Sequence, residues 1–199
     1  MSDDADVRTI HAVVAGDIDR YAELVDRYQA RVIRLAFSYL GNYEDARDVA
    51  QDAFVSAYRS LPNFRGAAKF STWLFRIVVN RCKDAYRYRV RHPVAATAVG
   101  TVPGDRELGD GLFVDAPDPG PGPSEQSANR ELGRRLTAAI ERLPMNQRTA
   151  FLLHHVHGLP LEDAAAVMGC RVGTVKSHVF RATAALRQRL TPWLTQERS

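Results

Sequence analysis

The stretch from His92 to Ser124 constrains the fold of this chain more than any other feature, because it lacks the apolar periodicity of a folded element. It holds six of the ten prolines and six of the thirteen glycines of the 199-residue sequence. Such a segment buries too little apolar surface to offset the entropy of ordering it, and we predict a flexible linker over 92–124. The remaining modules, 1–91 and 125–199, are each close to the lower size limit for an independent core.

The charge is divided in the same way. The linker carries five acidic residues and one basic residue, a net charge of −4, while the whole chain carries +4. The two modules therefore share a net charge of +8, which permits an anionic partner such as nucleic acid.

Composition excludes several classes of protein. With 45% hydrophobic and 25% charged residues, the chain is typical of a soluble globular protein. It has no apolar stretch of about 20 residues that would cross a membrane, and its acidic N-terminus does not suit a signal peptide. Only Cys82 and Cys170 are present, so we expect no disulfide framework and a cytoplasmic location, without membrane insertion.

Both modules are predicted to be helical, which makes the fold class all-α: two small helical domains joined by the linker. Apolar residues recur at helical spacing from Tyr21 to Ala36, and Gly41 and Asn42 end that run. A second helix is expected from about residue 44 to 61, and a third, capped by Ser71, continues to about residue 89. In the second module, helices are expected over 125–143, 146–156, 161–168 and 172–190.

The segment LEDAAAVMGCRVGTVKSH, over 161–178, has the spacing of a helix-turn-helix. Ala165 is the small residue where the helices cross, Gly169 suits the turn, and Val175 follows as the apolar lock. No acidic residue occurs from 171 to 189, and the basic residues of the second helix are Arg171, Lys176, Arg181, Arg187 and Arg189. This pattern favours DNA binding in the major groove over a helical hairpin with a solvated basic face.

The third helix of the first module carries a second candidate site. At one residue per 100°, a sector of about 80° contains Trp73, Arg76, Asn80, Lys83 and Arg87. The preceding loop adds Phe64, Arg65, Lys69 and Phe70. Cations, an amide and aromatic rings together are typical of a surface that binds unpaired bases. The alternative buries the aromatic residues in the core, which we expect for Phe75 and leave open for Phe70 and Trp73.

An acidic row precedes this helix, formed by Asp45, Asp48, Gln51 and Asp52. Carboxylates repel phosphate, so this side is expected to face away from DNA. Charge alone favours a solvated face over a protein contact.

Two stretches resemble a known family. DARDVAQDAFVSAYRSLPNFRG (45–66), followed by FSTWLFRIVVNRCKD (70–84), resembles region 2 of sigma-70-type bacterial sigma factors. LPLEDAAAVMGCRVGTVKSHVFRATAALRQRL (159–190) resembles their region 4. Two such regions joined by a linker, without regions 1.1 and 3, are similar to the extracytoplasmic-function group.

The resemblance implies a sigma factor that binds core RNA polymerase, directs it to promoter DNA and helps open the −10 element. Domain 1–91 is then region 2, and domain 125–199 is region 4. Through the resemblance, Asp48, Gln51 and Asp52 dock on the beta-prime coiled coil, which replaces the solvated-face interpretation. The implied −10 residues are Phe64, Lys69, Trp73, Arg76, Asn80, Lys83 and Arg87. The implied −35 residues are Arg171, Thr174, Lys176, Ser177, Phe180 and Arg181.

Further partners follow from the resemblance alone. Region 4 is expected to meet the beta flap of the polymerase, the linker to thread the RNA-exit path, and an anti-sigma factor to hold the protein inactive. No cofactor is implied.

Two rival functions remain open. A stand-alone helix-turn-helix regulator would bind its DNA tightly without polymerase. His154 and His157, with His155 between them, could share a metal with Cys170 or a nearby carboxylate, although histidines at a helix end are also common without one. No nucleophile elbow, phosphate-binding glycine loop or paired-carboxylate motif occurs, so we do not expect an enzyme.

Overall fold

The computed structural model describes residues 2–92, 133 and 135–196, and every regular element within these residues is helical. The predicted all-α class is confirmed there. Their contacts form two compact units: 2–92 together with 162–169, and the remaining residues of 133–161 and 170–196. Apart from His92, the predicted linker lies outside the described residues, as does the start of the helix predicted over 125–143.

Within residues 2–92, helices α2, α3 and α4 pack against one another, and α1 packs on α2 and α4. Their bounds are α1 (Ser2–Val14), α2 (Tyr21–Leu40), α3 (Tyr43–Ser60) and α4 (Phe70–Arg91), with short 3-10 turns at Ile18–Arg20 and Leu61–Asn63. The shared core consists largely of aliphatic side chains, among them Leu24, Val32, Leu35, Ala53, Leu74 and Val78. The sequence analysis did not predict α1.

The junction between α2 and α3 follows the predicted chemistry. Gly41 ends α2 in the left-handed region at φ 68°, and its N–H donates to the carbonyl of Phe37 at 2.8 Å. Asn42 then caps α3, since its side chain accepts a hydrogen bond from the N–H of Asp45. The break expected at Gly41 and Asn42 is confirmed.

The start of α4 differs from the prediction, because Ser71 is not its cap. The helix begins at Phe70, and Lys69 in the N-cap position makes no side-chain capping hydrogen bond. Phe70 is instead buried at 2% exposure. Packing of this ring, rather than a polar cap, therefore holds the first turn of α4.

In the second unit, α6 packs on the long helix α8. The helices of this unit are α5 (135–141), α6 (Met145–Phe151) and α8 (Val172–Gln196), whereas α7 (Leu161–Met168) belongs, apart from Leu161, to the first unit. A π-helical turn, Leu152–Val156, continues α6. Leu152, Leu153 and Leu186 of this unit are buried.

One of the basic residues predicted on the recognition helix has a structural role. Arg189 donates from Nη1 to the carbonyl of Ala139 at 3.0 Å and from Nη2 to that of Arg142 at 3.4 Å. These carbonyls lie at the C-terminal end of α5, where a cation is favourable. Arg189 therefore ties α8 to α5.

Among the described residues, no helix combines the length and apolar character needed to cross a bilayer.

Candidate nucleic-acid and protein interfaces

Three aromatic rings meet where the loop after α3 enters α4. The centroid of Phe64 lies 5.9 Å from Phe70 and 5.3 Å from Trp73, and those of Phe70 and Trp73 are 5.6 Å apart. Phe70 is buried, whereas Phe64 and Trp73 are half-buried. The sequence left the burial of Phe70 and Trp73 open. Phe70 belongs to the core, whereas Trp73 is partly exposed to solvent. Phe75 is buried, as expected.

Polar side chains extend from these rings along α4. Arg76, Asn80 and Arg87 are exposed, and Lys83 is half-buried. Arg87 pairs with exposed Asp84 at 3.1 Å, a surface ion pair that water screens strongly. Because residues three or four apart share a helix side, these groups continue the face that begins at Trp73. We call Phe64, Lys69 and this face of α4 the α4 surface.

The loop that leads to the α4 surface is exposed at Arg65 and Lys69. Gly66 adopts φ 68°, a left-handed conformation that side chains rarely allow. The turn at Gly66 allows the chain to pass from Phe64 to Phe70 within a few residues, and both rings contact each other.

The acidic row on α3 borders a groove that the sequence analysis missed. The groove, of about 530 Å³, runs between α2 and α3, and Asp48 and Gln51 line it. Asp52 is exposed nearby on the same helix. Apolar side chains also line the groove, including Val25, Ile33, Phe54 and Val55. We call Asp48, Gln51, Asp52 and the adjoining groove the α3 surface, which combines carboxylates with apolar contact area.

Tyr21 and Tyr58 close one part of this groove. The hydroxyl of Tyr21 donates to the carbonyl of Phe54 at 2.7 Å, and the two tyrosine rings meet edge to face at 5.1 Å. Burial raises the pKa of Tyr21 above its usual range, so the hydroxyl stays protonated as a donor. Helical spacing could have placed Val55 and Tyr58 on the same helix face as Gln51, since they follow it by four and seven residues.

The turn before α8 has the predicted backbone. Gly169 adopts φ 65°, and α8 begins at Val172 with the carbonyl of Arg171 accepting from the N–H groups of Thr174 and Val175. Ala165 and Val175 are each buried.

All six predicted recognition residues of this segment are exposed: Arg171, Thr174, Lys176, Ser177, Phe180 and Arg181. Phe180 stands out because 76% of this large apolar residue is exposed. The hydroxyl of Ser177 donates to the carbonyl of Gly173 at 3.0 Å, which leaves its oxygen lone pairs for another donor. We call these six residues the α8 surface, which offers cations, hydroxyls and one apolar ring.

His154 and His155 lie on the π-helical turn, and His157 directly follows it. Nδ1 of His154 is 2.9 Å from the carbonyl oxygen of Leu159, a backbone contact that bridges the turn. The ring of His155 lies against Phe151 at 5.0 Å. In the part of the chain that is described, no three His, Cys, Asp or Glu side chains are placed to bind one metal ion.

Family comparison agrees with the division into two helical parts. Residues 24–92 match the family model of Sigma-70 region 2, and residues 133–186 match Sigma-70, region 4. The RNA polymerase sigma-H factor of Pseudomonas aeruginosa is 35% identical over 200 residues, covering 98% of this chain and 99% of that protein. The ECF RNA polymerase sigma-E factor of Escherichia coli K12 is 36% identical over 183 residues, covering 92% and 93%.

The chain belongs to the sigma-70 family, in its extracytoplasmic-function group. This sigma factor acts in transcription initiation, where it directs RNA polymerase to promoters. The relatives that it matches are themselves sigma factors, which are not enzymes.

Two solved structures share the fold of this sigma factor. CnrH, in complex with the cytosolic domain of CnrY, has a TM-score of 0.67 at 26% identity, covering 94% of this chain and 98% of that chain. The sigma factor RpoE from Bartonella quintana, in complex with the anti-sigma factor NepR, has a TM-score of 0.60 at 25% identity, covering 86% and 96%.

Proposed function

We propose that this sigma factor binds a two-part promoter, with the α8 surface on the −35 element and the α4 surface on unpaired bases of the −10 element. The single observation that carries the proposal is the partial exposure of Phe64 and Trp73 beside a row of cations and one amide on α4. An aromatic pair that served only the core would be buried like Phe70.

The α4 surface suits bases that have left the duplex stack. Extracting a base costs a few kcal/mol. Stacking on an aromatic side chain returns about 1–3 kcal/mol per base, and the carboxamide of Asn80 adds hydrogen bonds to a base edge. Lys69, Arg76, Lys83 and Arg87 supply the positive charge for the phosphates on either side. The α4 surface therefore binds unpaired −10 bases by noncovalent contacts alone.

The α8 surface suits duplex DNA. Arg171 at the start of the helix, with Lys176 and Arg181, has the reach and charge to contact phosphates and guanine edges. Thr174 and Ser177 contribute hydroxyls between them. Phe180 offers an apolar contact of the kind that thymine methyl groups accept. We assign these residues to the −35 element, within a region 4 domain of residues 125–199.

The α3 surface suits a protein partner. Asp48, Gln51 and Asp52 form a negative edge beside an apolar groove, a combination typical of a protein interface with a polar rim. We assign it to the beta-prime coiled coil of RNA polymerase, with region 4 meeting the beta flap. The region 2 domain then spans residues 1–91 and carries both the polymerase and the −10 contacts.

An anti-sigma factor is a further proposed partner. The RpoE structure that shares this fold contains an anti-sigma factor. A protein that covered the α3 or α8 surface would block polymerase or DNA by occupancy alone. We place this chain in the cytoplasm, where polymerase and promoter are both found.

Run-off transcription with purified bacterial core polymerase and a promoter library tests the proposal. Promoter-specific transcripts that require this protein support it, and the selected sequences define the two elements. Tight sequence-specific DNA binding by the protein alone, without binding to core polymerase, would favour a stand-alone helix-turn-helix regulator instead.

A further inference from the structure

Helix α1 carries a buried carboxylate. Asp6 is only 1% exposed, and its two oxygens accept hydrogen bonds from Nη1 of Arg27 and from the hydroxyl of Tyr28, both on α2. A buried charge is tolerated when it is paired and hydrogen-bonded, and both conditions are met here. Asp6 thus fixes the orientation of the Tyr28 side chain.

Tyr28 connects Asp6 to the aromatic rings of the α4 surface through its contact with Phe70. Its ring is buried at 2% exposure and meets the ring of Phe70 edge to face, with centroids 5.4 Å apart. Phe70 in turn contacts both Phe64 and Trp73. One continuous set of contacts therefore connects Asp6 to the half-buried rings proposed to receive −10 bases.

The first turn of α4 has a particular need for this support. Lys69 makes no side-chain capping bond there. Besides its packing on α2, α1 also contacts α4 and the 3-10 turn Leu61–Asn63 that leads into the loop. The position of the loop and the start of α4 then depends on packing against rings whose orientation is set from α2 and α1.

We propose that Asp6 is a positioning residue for promoter opening: by holding the Tyr28 hydroxyl it fixes Phe70, which keeps Phe64 and Trp73 in the orientation that accepts unpaired −10 bases. This inference rests on the proposed function of the α4 surface. A preorganised site loses less entropy when the base binds, so loosening the cluster weakens base capture without removing any DNA contact.

Two substitutions remove the restraint in different ways. Tyr28→Phe deletes only the hydroxyl and retains the ring that contacts Phe70. Asp6→Asn keeps the shape of the side chain but leaves one acceptor oxygen in place of two, so Arg27 and Tyr28 can no longer each donate to an oxygen of their own. Thr9→Val is the matched control, because Thr9 also ties α1 to α2, through a 3.1 Å hydrogen bond to Glu23, but is not part of the aromatic contacts. Trp73→Ala reports on the α4 surface itself.

The experiment uses full-length protein assembled with core polymerase, on a promoter selected by run-off transcription and labelled with 2-aminopurine in the −10 element. We expect Tyr28→Phe and Asp6→Asn to lower the equilibrium extent of opening about fivefold, the factor associated with one lost hydrogen bond. Thr9→Val should match the wild type, and all variants should bind core polymerase equally well.

A spectroscopic measurement separates positioning from loss of structure. In a Trp193→Phe background, Trp73 is the single tryptophan. We expect acrylamide to quench its fluorescence more strongly in Tyr28→Phe than in Thr9→Val, at temperatures far below unfolding.

The outcomes distinguish the inference from the function on which it rests. If Trp73→Ala opens the promoter normally, the assignment of the α4 surface is wrong. If Trp73→Ala impairs opening while Tyr28→Phe and Asp6→Asn do not, the positioning role of Asp6 is wrong. Equal losses of opening in Thr9→Val and Tyr28→Phe would also overturn it, because attachment of α1 alone would then explain both.

Discussion

The side-chain oxygen of Asn42 accepts a hydrogen bond from the backbone N–H of Asp45 at 3.0 Å. The bond satisfies one of the N–H groups left open at the start of α3, the helix that bears the acidic row. We expect Asn42→Ala to lower the free energy of unfolding by about 1 kcal/mol, measured by urea unfolding. Asn42→Ser is the control, since serine keeps a side-chain oxygen that caps a helix about as well as asparagine, and an equal loss in both variants would contradict a role for the cap.

Charge reversal on the α3 surface tests the proposed polymerase contact. Asp48 is exposed and lines the groove between α2 and α3. We expect Asp48→Arg to weaken binding to core polymerase about tenfold or more, because it places a cation against a positive partner. Asp26→Arg makes the same change at an exposed carboxylate of α2 that does not line the groove. Equal weakening by both would indicate a general charge effect.

Asn80 provides the sharpest test of base contact. It is exposed on the α4 surface, so its removal leaves the core intact. We expect Asn80→Ala to reduce promoter opening about tenfold, within the range of discrimination that a good amide–base contact supplies, and to leave binding to core polymerase unchanged. Opening is followed by 2-aminopurine fluorescence, and polymerase binding by titration. A parallel loss of both activities would instead make Asn80 a structural residue.

The salt dependence of promoter binding tests Arg181 against a control on the same helix. Arg181 and Arg187 are both exposed, but six residues place them on different sides of α8. We expect Arg181→Ala to reduce the slope of log K against log salt by about 1, as for the loss of one phosphate contact, while Arg187→Ala does not. An unchanged slope for Arg181→Ala would remove it from the phosphate contacts.

His155 predicts a pH dependence of stability. Partial desolvation, followed by repulsion from the neighbouring His154, lowers the pKa of the exposed His155 below its ordinary value of 6.5. The unfolded chain then binds more protons than the folded chain, so the free energy of unfolding falls as the pH drops through 6.5 and recovers above it. Urea unfolding at several pH values measures this, and His155→Gln should reduce the dependence. The same pH profile in both proteins would point to another group.

Local chemistry explains why so much of the helical organisation was predictable. The apolar period from Tyr21 to Ala36 and the left-handed residues at Gly41 and Gly169 depend on neighbours a few positions away. The spacing that predicts a turn at Gly169 is likewise local, and the structure has the left-handed backbone there.

Family resemblance added what charge alone did not indicate. The acidic row that ends at Asp52 gave no reason, by itself, to expect a protein partner. The groove beside it forms from side chains of two helices, and residues of α2 such as Val25 and Ile33 lie far from Asp48 in the sequence.

The sequence by itself indicated helices α2 to α8, the break at Gly41 and Asn42, and the three charged surfaces on α3, α4 and α8, because backbone preference and periodicity act over one or two turns. Only the tertiary structure decided that Phe70 is buried while Trp73 is not, that packing rather than Ser71 holds the start of α4, and that Asp6 anchors α1. Each of these depends on contact between residues distant in the chain, such as Asp6 with Tyr28. Such pairs leave no periodic signal, because they are selected by the burial of specific rings and charges when the helices pack.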